Sequence, residues 1–153
     1  MSTLRAMAAG AAGGLAGAAL MGPLHSMAGK VSKSKPAQGE DATEKVAKSA
    51  AKTIARKRLR ESEKKKGGMI VHFAFGAAVG ALYGLLASKS KLFRKGAGTL
   101  YGAAVYLGAH ALAVPLLGLA PAPTENQPAQ EGAEFAAHLV YGAVTDGVRR
   151  LLA

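Results

Sequence analysis

The side chains in this chain best suited to chemistry are four histidines, one in each of its apolar segments: His25, His72, His110 and His138. A neutral imidazole is a common ligand for zinc, copper and haem iron, and an imidazole also exchanges protons near neutral pH. Three interpretations therefore stand side by side. The histidines make structural hydrogen bonds between helices, hold a transition metal or haem b, or act as a proton relay or pH sensor.

Other catalytic chemistry is poorly represented. The chain has no Cys, which excludes disulfides, thiolate metal sites, iron–sulfur clusters and a cysteine nucleophile. It also contains no phosphate-binding loop, no G-x-S-x-G and no H-E-x-x-H. We therefore expect a protein that is not an enzyme and has no catalytic residues. We also expect no obligate cofactor, and haem b or a metal at the histidines is the alternative.

One acidic residue lies deep in the last apolar segment. Asp146 is followed by Arg149 and Arg150 at the i+3 and i+4 positions, the spacing at which oppositely charged side chains pair on a helix. We interpret this group as a charge cluster that anchors the end of a helix.

The segments that carry these residues cover roughly 6–28, 69–87, 97–120 and 133–153. A helix needs about 20 residues to cross a bilayer core of about 30 Å. The fourth segment can span only if Glu134 lies at one interface and the two arginines reach the other. The sequence thus predicts an all-α polytopic membrane protein, a single domain over 1–153 with four transmembrane helices. The alternatives are a soluble Ala-rich bundle and a signal peptide in the first segment.

Glycines recur at four-residue spacing within these segments. Residues four apart lie on one helix face, and a glycine face lets two helix backbones approach closely. Such rows are typical of packed transmembrane helices. The predicted packing positions are Gly10, Gly14, Gly17, Gly76, Gly80, Gly84, Gly98, Gly102 and Gly142.

The second and fourth segments share a short pattern. Residues 72–77 and 138–143 both read His, apolar, apolar, aromatic, Gly, Ala. The first and third segments share a weaker one, in which a small-residue run precedes His25 and His110 by eight residues. Together these patterns predict two similar helical hairpins.

Most of the positive charge lies in the connector 29–68. The formal net charge is +11, yet 13 of the 20 Lys and Arg residues fall between Lys30 and Lys66. A basic amphipathic helix is predicted at 42–66, with Gly67 and Gly68 as its stop. It contacts anionic headgroups or an acidic partner, or it is simply solvated. The headgroup contacts would be Lys45, Lys48, Lys52, Arg56 and Arg60.

Residues 110–121 read His-Ala-Leu-Ala-Val-Pro-Leu-Leu-Gly-Leu-Ala-Pro, and they occur together with His72, His138-Leu-Val-Tyr and the final Arg149-Arg150. With these features the chain resembles the YagU-type bacterial inner-membrane family of unknown function. The resemblance implies four spans, cytoplasmic termini, a short basic second loop inside and the first loop outside. The count of Lys and Arg alone instead places the first loop inside.

We therefore expect a small multi-pass protein of the bacterial inner membrane. Its first predicted role is structural or accessory, with the glycine faces packing against a larger membrane complex or against a second copy. The alternatives are a His-lined protein that transports or senses protons or metal, and a haem-binding electron-transfer subunit. Expected partners are membrane lipids and other membrane subunits or a homo-oligomer, not nucleic acid.

Overall fold

The structure is a computed structural model that describes residues 2–32, 41–54, 56 and 58–152; within these ranges the elements are helical, with no strand. Four helices are continuous α-helices. They are α1 (Thr3–Ser32), α2 (Ala42–Ile54), α3 (Glu61–Lys89) and, last in the chain, α5 (Pro128–Leu152). Short 3₁₀ segments, Lys91–Gly98 and Pro123–Glu125, flank the remaining helix, α4.

Helix α4 is built from three stretches. It is α-helical over Thr99–Val105, π-helical over Tyr106–Ala113 and α-helical again over Val114–Leu116. Pro115, just after the π-helical stretch, has no N–H to donate to the preceding turn. Wide turns of this kind often occur at functional positions, and His110 lies inside this one.

At its glycines, the contact between α1 and α3 is made by backbone atoms. A Cβ atom added to Gly10 would collide with the carbonyl oxygen of Gly80, and one added to Gly14 would collide with that of Gly76. Farther along, a Cβ on Gly84 would meet the carbonyl of Ala6. The two helices are therefore antiparallel and close enough that only hydrogen fits at these positions.

Close contacts at glycines also join α5 to α1 and α4. A Cβ on Gly17 of α1 would lie 2.8 Å from the Tyr141 ring. The Gly102 position on α4 abuts the carbonyl of His138, and Gly98, the last residue of the preceding 3₁₀ segment, abuts that of Gly142. All nine predicted packing glycines thus touch another helix of the same chain.

Buried hydroxyls tie the helices together between the glycines. The Tyr141 hydroxyl donates to the carbonyl oxygen of Gly76 at 2.7 Å, and the Tyr101 hydroxyl donates to that of Val79 at 2.8 Å. Both bonds cross to α3, one from α5 and one from α4. A buried hydroxyl that donates to a carbonyl avoids the cost of an unmade hydrogen bond.

The connector is organised differently from the prediction. The basic segment 42–66 is divided between α2, which ends at Ile54, and α3, which begins at Glu61. The proposed stop, Gly67 and Gly68, lies inside α3, where a Cβ on Gly67 would come within 2.8 Å of Ala47. These glycines give α2 a flat surface to pack on, so packing outweighs their low helix propensity. Positions 33–40, 55 and 57 of the connector lie outside the described residues.

Three segments are long and apolar enough to cross a membrane: Thr3–Met27, Glu61–Lys89 and Lys91–Leu116. Helix α5 is not among them, because charged residues interrupt its apolar stretch near both ends. The protein is therefore all-helical over the described residues, and three of its helical segments fit a membrane protein.

Candidate functional site

The antiparallel helices give the bundle two chemically different ends. One, called here the histidine end, is formed by the last turns of α1 and α4 and the first turns of α3 and α5. The other, the arginine end, is formed by the start of α1, the Lys91–Gly98 segment and the last turns of α3 and α5. Ionisable side chains gather at both ends, and the glycine contacts lie between them.

At the histidine end, His25 of α1 faces Glu134 of α5. The His25 Nε2 atom lies 3.2 Å from the Glu134 Oε2 atom, and the side chains are 34% and 22% exposed, respectively. When the imidazole is protonated, this contact is an ion pair that fastens the end of α1 to the start of α5.

A second pair joins α4 to α5. The His110 Nε2 atom lies 3.4 Å from the Glu131 Oε2 atom. The Tyr106 hydroxyl donates to the same carboxylate at 2.7 Å, and the Asn126 side-chain amide donates to its other oxygen at 2.6 Å. Glu131 is thus held by three partners, two from α4 and one from the loop before α5.

His138 lies between the two pairs. Its ring centre is 5.7 Å from that of His110 and 5.5 Å from that of Tyr106. Its Nδ1 atom is 2.8 Å from the backbone oxygen of Glu134, one turn earlier on α5. We define the His–Glu cluster as the three histidines and two glutamates that meet here: His25, His110, His138, Glu131 and Glu134.

The fourth predicted histidine is placed elsewhere. The His72 Nε2 atom lies 3.1 Å from the backbone oxygen of Ala18, which joins α3 to α1 by a contact that needs no charge. The structure therefore brings three of the four histidines together and leaves His72 in a helix-to-helix hydrogen bond.

The cluster consists of two separate His–Glu pairs rather than one ligand sphere. Within the described residues, no three His, Asp or Glu side chains are grouped so that they could hold a metal ion. A His–carboxylate pair can instead take up a proton and convert a neutral hydrogen bond into an ion pair. Proton binding is the chemistry that this geometry favours.

Sequence reasoning did not predict Glu131 or Tyr106 as part of the site. A signal was present, because Glu131 and Glu134 are three apart and His138 follows four residues later, which puts all three on one face of α5. Tyr106 and His110 are likewise four apart on α4, and their rings stack at 5.2 Å.

Helix α2 contacts the loop between α4 and α5, which lies next to the His–Glu cluster. The Lys45 ammonium donates to the backbone oxygen of Leu119, just beyond the end of α4, at 2.7 Å. Lys45 thus ties the start of α2 to the loop between α4 and α5. Of the predicted headgroup contacts, Lys45 is half-buried, and the other four are exposed: Lys48, Lys52, Arg56 and Arg60.

At the arginine end, Asp146 is 1% exposed and binds both following arginines. Its Oδ1 atom accepts from Arg149 Nη2 at 2.8 Å, and its Oδ2 atom lies 2.6 Å from Arg150 Nη2. The Arg149 guanidinium also lies 5.8 Å from the centre of the Tyr83 ring. Asp146 and Arg149 of this charge cluster are therefore buried, and Arg150 reaches the surface.

Comparison with known proteins identifies the family. The model of the family described as "Protein of unknown function (DUF1440)" matches residues 29–147, which is most of the chain, and the protein belongs to this family. The description states no activity. No curated protein and no solved structure matches the chain.

Proposed function

We propose that this protein is a four-span membrane protein that senses pH through the His–Glu cluster. The observation that carries the proposal is the convergence of three histidines and two glutamates from α1, α4 and α5 at one end of an apolar bundle. Ionisable side chains are costly inside a membrane protein, so their presence there usually indicates a function.

The interior favours sensing over proton transport. Between the cluster and Asp146 lie the glycine contacts, where helix backbones touch. The hydroxyls of Tyr141 and Tyr101 in this region already donate to backbone carbonyls of α3. A proton relay needs donors that can pass a proton onward, and these two hydroxyls point at carbonyls instead.

Protonation changes which helices are fastened together. With His25 and His110 protonated, the pairs with Glu134 and Glu131 hold the ends of α1 and α4 against α5. When the imidazoles lose their protons, the ion pairs become weaker contacts between a neutral ring and a carboxylate. The loop between α4 and α5, which supplies Asn126, is then less firmly held. The same applies to α2, which is bonded to that loop at Leu119.

The first test compares the pH dependence of stability. We expect Glu134→Gln to remove stability mainly at low pH, because the ion pair needs a protonated imidazole and an ordinary histidine titrates near pH 6.5. The parent's advantage over the variant should be larger at about pH 5.5 than at about pH 8, by about 1 kcal/mol for a half-exposed pair. Thermal unfolding in detergent at the two pH values measures it.

The matched control is His72→Gln, which removes an imidazole bonded to a backbone carbonyl. Its cost should be the same at both pH values. If Glu134→Gln costs the same at both pH values, the cluster does not sense protons. Stoichiometric metal or a Soret absorption band in the purified protein would instead support the metal or haem alternatives.

The resemblance to YagU-type proteins supports placing the protein in the bacterial inner membrane with its termini in the cytoplasm. In that orientation the histidine end faces outward, since α1 leads from the N-terminus to His25. Helix α5 is the fourth span in this proposal, with the glutamates near one interface and the arginines near the other.

An accessory role is the second candidate, and the exposure of α4 favours it. Only 6% of the most apolar stretch of the Lys91–Leu116 segment is buried within the chain. The predicted packing glycines are used inside the bundle, so they do not offer a contact to a partner. On α4, however, a Cβ added to Gly108 would meet nothing within 4 Å, and Leu107 and Leu112 are exposed. A second copy or another membrane subunit would pack here.

For this role we expect Gly108→Leu to weaken association without unfolding the chain, because the position is open in the isolated protein. Cross-linking in membranes and co-purification from mild detergent measure the association. Gly147→Leu is the control, since that position is equally open but lies on α5. Equal assembly of the parent and Gly108→Leu would argue against a partner on this face.

A further inference from the structure

A shallow surface pocket of about 490 Å³ opens at the arginine end of the bundle. It is lined by two basic residues of the Lys91–Gly98 segment and two of α5: Lys91, Arg94, Arg149 and Arg150. We call this cavity the basic pocket. It is separate from the His–Glu cluster, which lies at the opposite end of α5.

Two of the four cations are held in place by the fold. Asp146 is buried and binds both Arg149 and Arg150 through separate oxygens. Arg149 is 8% exposed and Arg150 is 54% exposed, so the second guanidinium is oriented by the carboxylate and still reaches solvent. A pre-oriented guanidinium loses less entropy when it binds an anion.

The pocket carries excess positive charge. Four cations face one buried carboxylate, which leaves a surplus of three positive charges around the cavity. Lys91 and Arg94 are exposed on the Lys91–Gly98 segment. Because like charges repel, an anion with several acceptor oxygens would relieve the repulsion among the four cations and bind several donors at once.

Apolar side chains flank the cations. Leu92 and Phe93 lie beside the pocket-lining residues on one segment, and Leu151 and Leu152 follow them on α5; all four are partly or largely exposed. The α3 span ends at Lys89, immediately before the pocket. The cations therefore lie where a bundle in a bilayer meets the headgroup layer, with apolar surface next to them.

We propose that the basic pocket binds the phosphate headgroup of an anionic phospholipid, whose acyl chains lie against the neighbouring apolar residues. Basic pockets between membrane helices recognise anionic headgroups through the same combination of fixed charge and adjacent hydrocarbon. The Arg150 guanidinium binds the phosphate oxygens, the buried Arg149 adds its positive charge behind it, and Lys91 and Arg94 add attraction from the Lys91–Gly98 segment. A free phosphate shares the headgroup's charge but lacks the chains, so the two sources can be told apart.

The test measures binding of the full-length protein in detergent to short-chain phosphatidylglycerol, phosphatidylcholine and inorganic phosphate. Thermal unfolding and native mass spectrometry are the readouts. Phosphatidylglycerol is expected to raise the unfolding temperature and remain bound, whereas phosphatidylcholine and phosphate at equal concentration have little effect. Lys91→Ala with Arg94→Ala should weaken phosphatidylglycerol binding roughly tenfold or more, since two cations near the phosphate are lost.

The matched control is Lys65→Ala with Lys66→Ala. It removes the same charge from exposed positions at the opposite end of α3 and should leave lipid binding unchanged. Both pairs are exposed, so folding is expected to survive. Equal loss in the two double variants would overturn the proposal, as would parent-like binding by the pocket variant. Stabilisation by inorganic phosphate equal to that by phosphatidylglycerol would also overturn it.

Discussion

Replacing Gly14 by Ala is expected to lower the free energy of unfolding by about 2–3 kcal/mol, because the new methyl group has no room. A Cβ at this position collides with the carbonyl oxygen of Gly76 and lies 2.9 Å from the Cα atom of Gly80. Both contacts are with backbone, so no side chain can rotate away. Helices α1 and α3 must separate, and the contacts along the whole face weaken together.

Two open glycines provide the control for this prediction. A Cβ on Gly22 or Gly147 would meet nothing within 4 Å. At such positions an alanine is expected to be neutral or to stabilise the helix by up to about 1 kcal/mol, because it is the better helix former. Unfolding in mild detergent, followed by far-UV circular dichroism, compares the three variants. If Gly14→Ala is as stable as the open-site variants, α1 and α3 do not touch at Gly14.

The glycine rows show what a sequence pattern can and cannot predict about this fold. Four-residue spacing identifies the face of a helix that packs, but it does not identify the helix that the face meets. Gly14 and Gly17 both lie on α1, yet the first touches α3 and the second touches Tyr141 of α5. The partner depends on how all the helices rotate about their axes, which only the assembled bundle determines.

The candidate site was partly predictable for a related reason. Counting residues from the loops places all four histidines in one half of the membrane. Whether they met depended on rotation, since one residue turns a helix by about 100°. His25 and His110 turn toward α5 and its glutamates, whereas His72 turns toward a carbonyl of α1. The spacing of Glu131, Glu134 and His138 puts them on one face of α5, but it does not identify the histidines of α1 and α4 that this face meets.

In the connector, a local sequence pattern predicted a helix end that the fold does not have. Gly67 and Gly68 match the pattern of a helix stop, and in an isolated peptide two glycines would weaken the helix. In the folded chain they lie under α2, where Ala47 and Glu44 approach them closely. Local propensity predicted an end, and tertiary packing produced a continuous helix.

Truncating Asp146 is the second substitution with a large expected effect. Asp146→Ala should cost about 3 kcal/mol, because it leaves the buried Arg149 guanidinium without its carboxylate. Two hydrogen bonds are lost, from Nη2 at 2.8 Å and Nε at 3.2 Å, and the cation remains against the Tyr83 ring. Thermal or denaturant unfolding in detergent measures the cost.

A pair with the same spacing but an exposed carboxylate gives the comparison. Glu61 and Lys64 are also three residues apart, at 2.6 Å, and the Glu61 side chain is 85% exposed. Glu61→Ala should cost less than Asp146→Ala, about 1 kcal/mol, since the carboxylate that is removed is already solvated in the folded chain. Burial, and not the ion-pair spacing, would then account for the difference between the two variants.

The double variant Asp146→Ala with Arg149→Met separates two causes of that cost. If the penalty comes from an unpaired buried cation, removing the cation as well should recover most of the lost stability. If the penalty comes from the missing carboxylate itself, the double variant stays as unstable as Asp146→Ala. Recovery would mean that the fold does not require this ion pair for its stability. The pair would then be explained by what it positions, because Asp146 also orients Arg150, which lines the basic pocket.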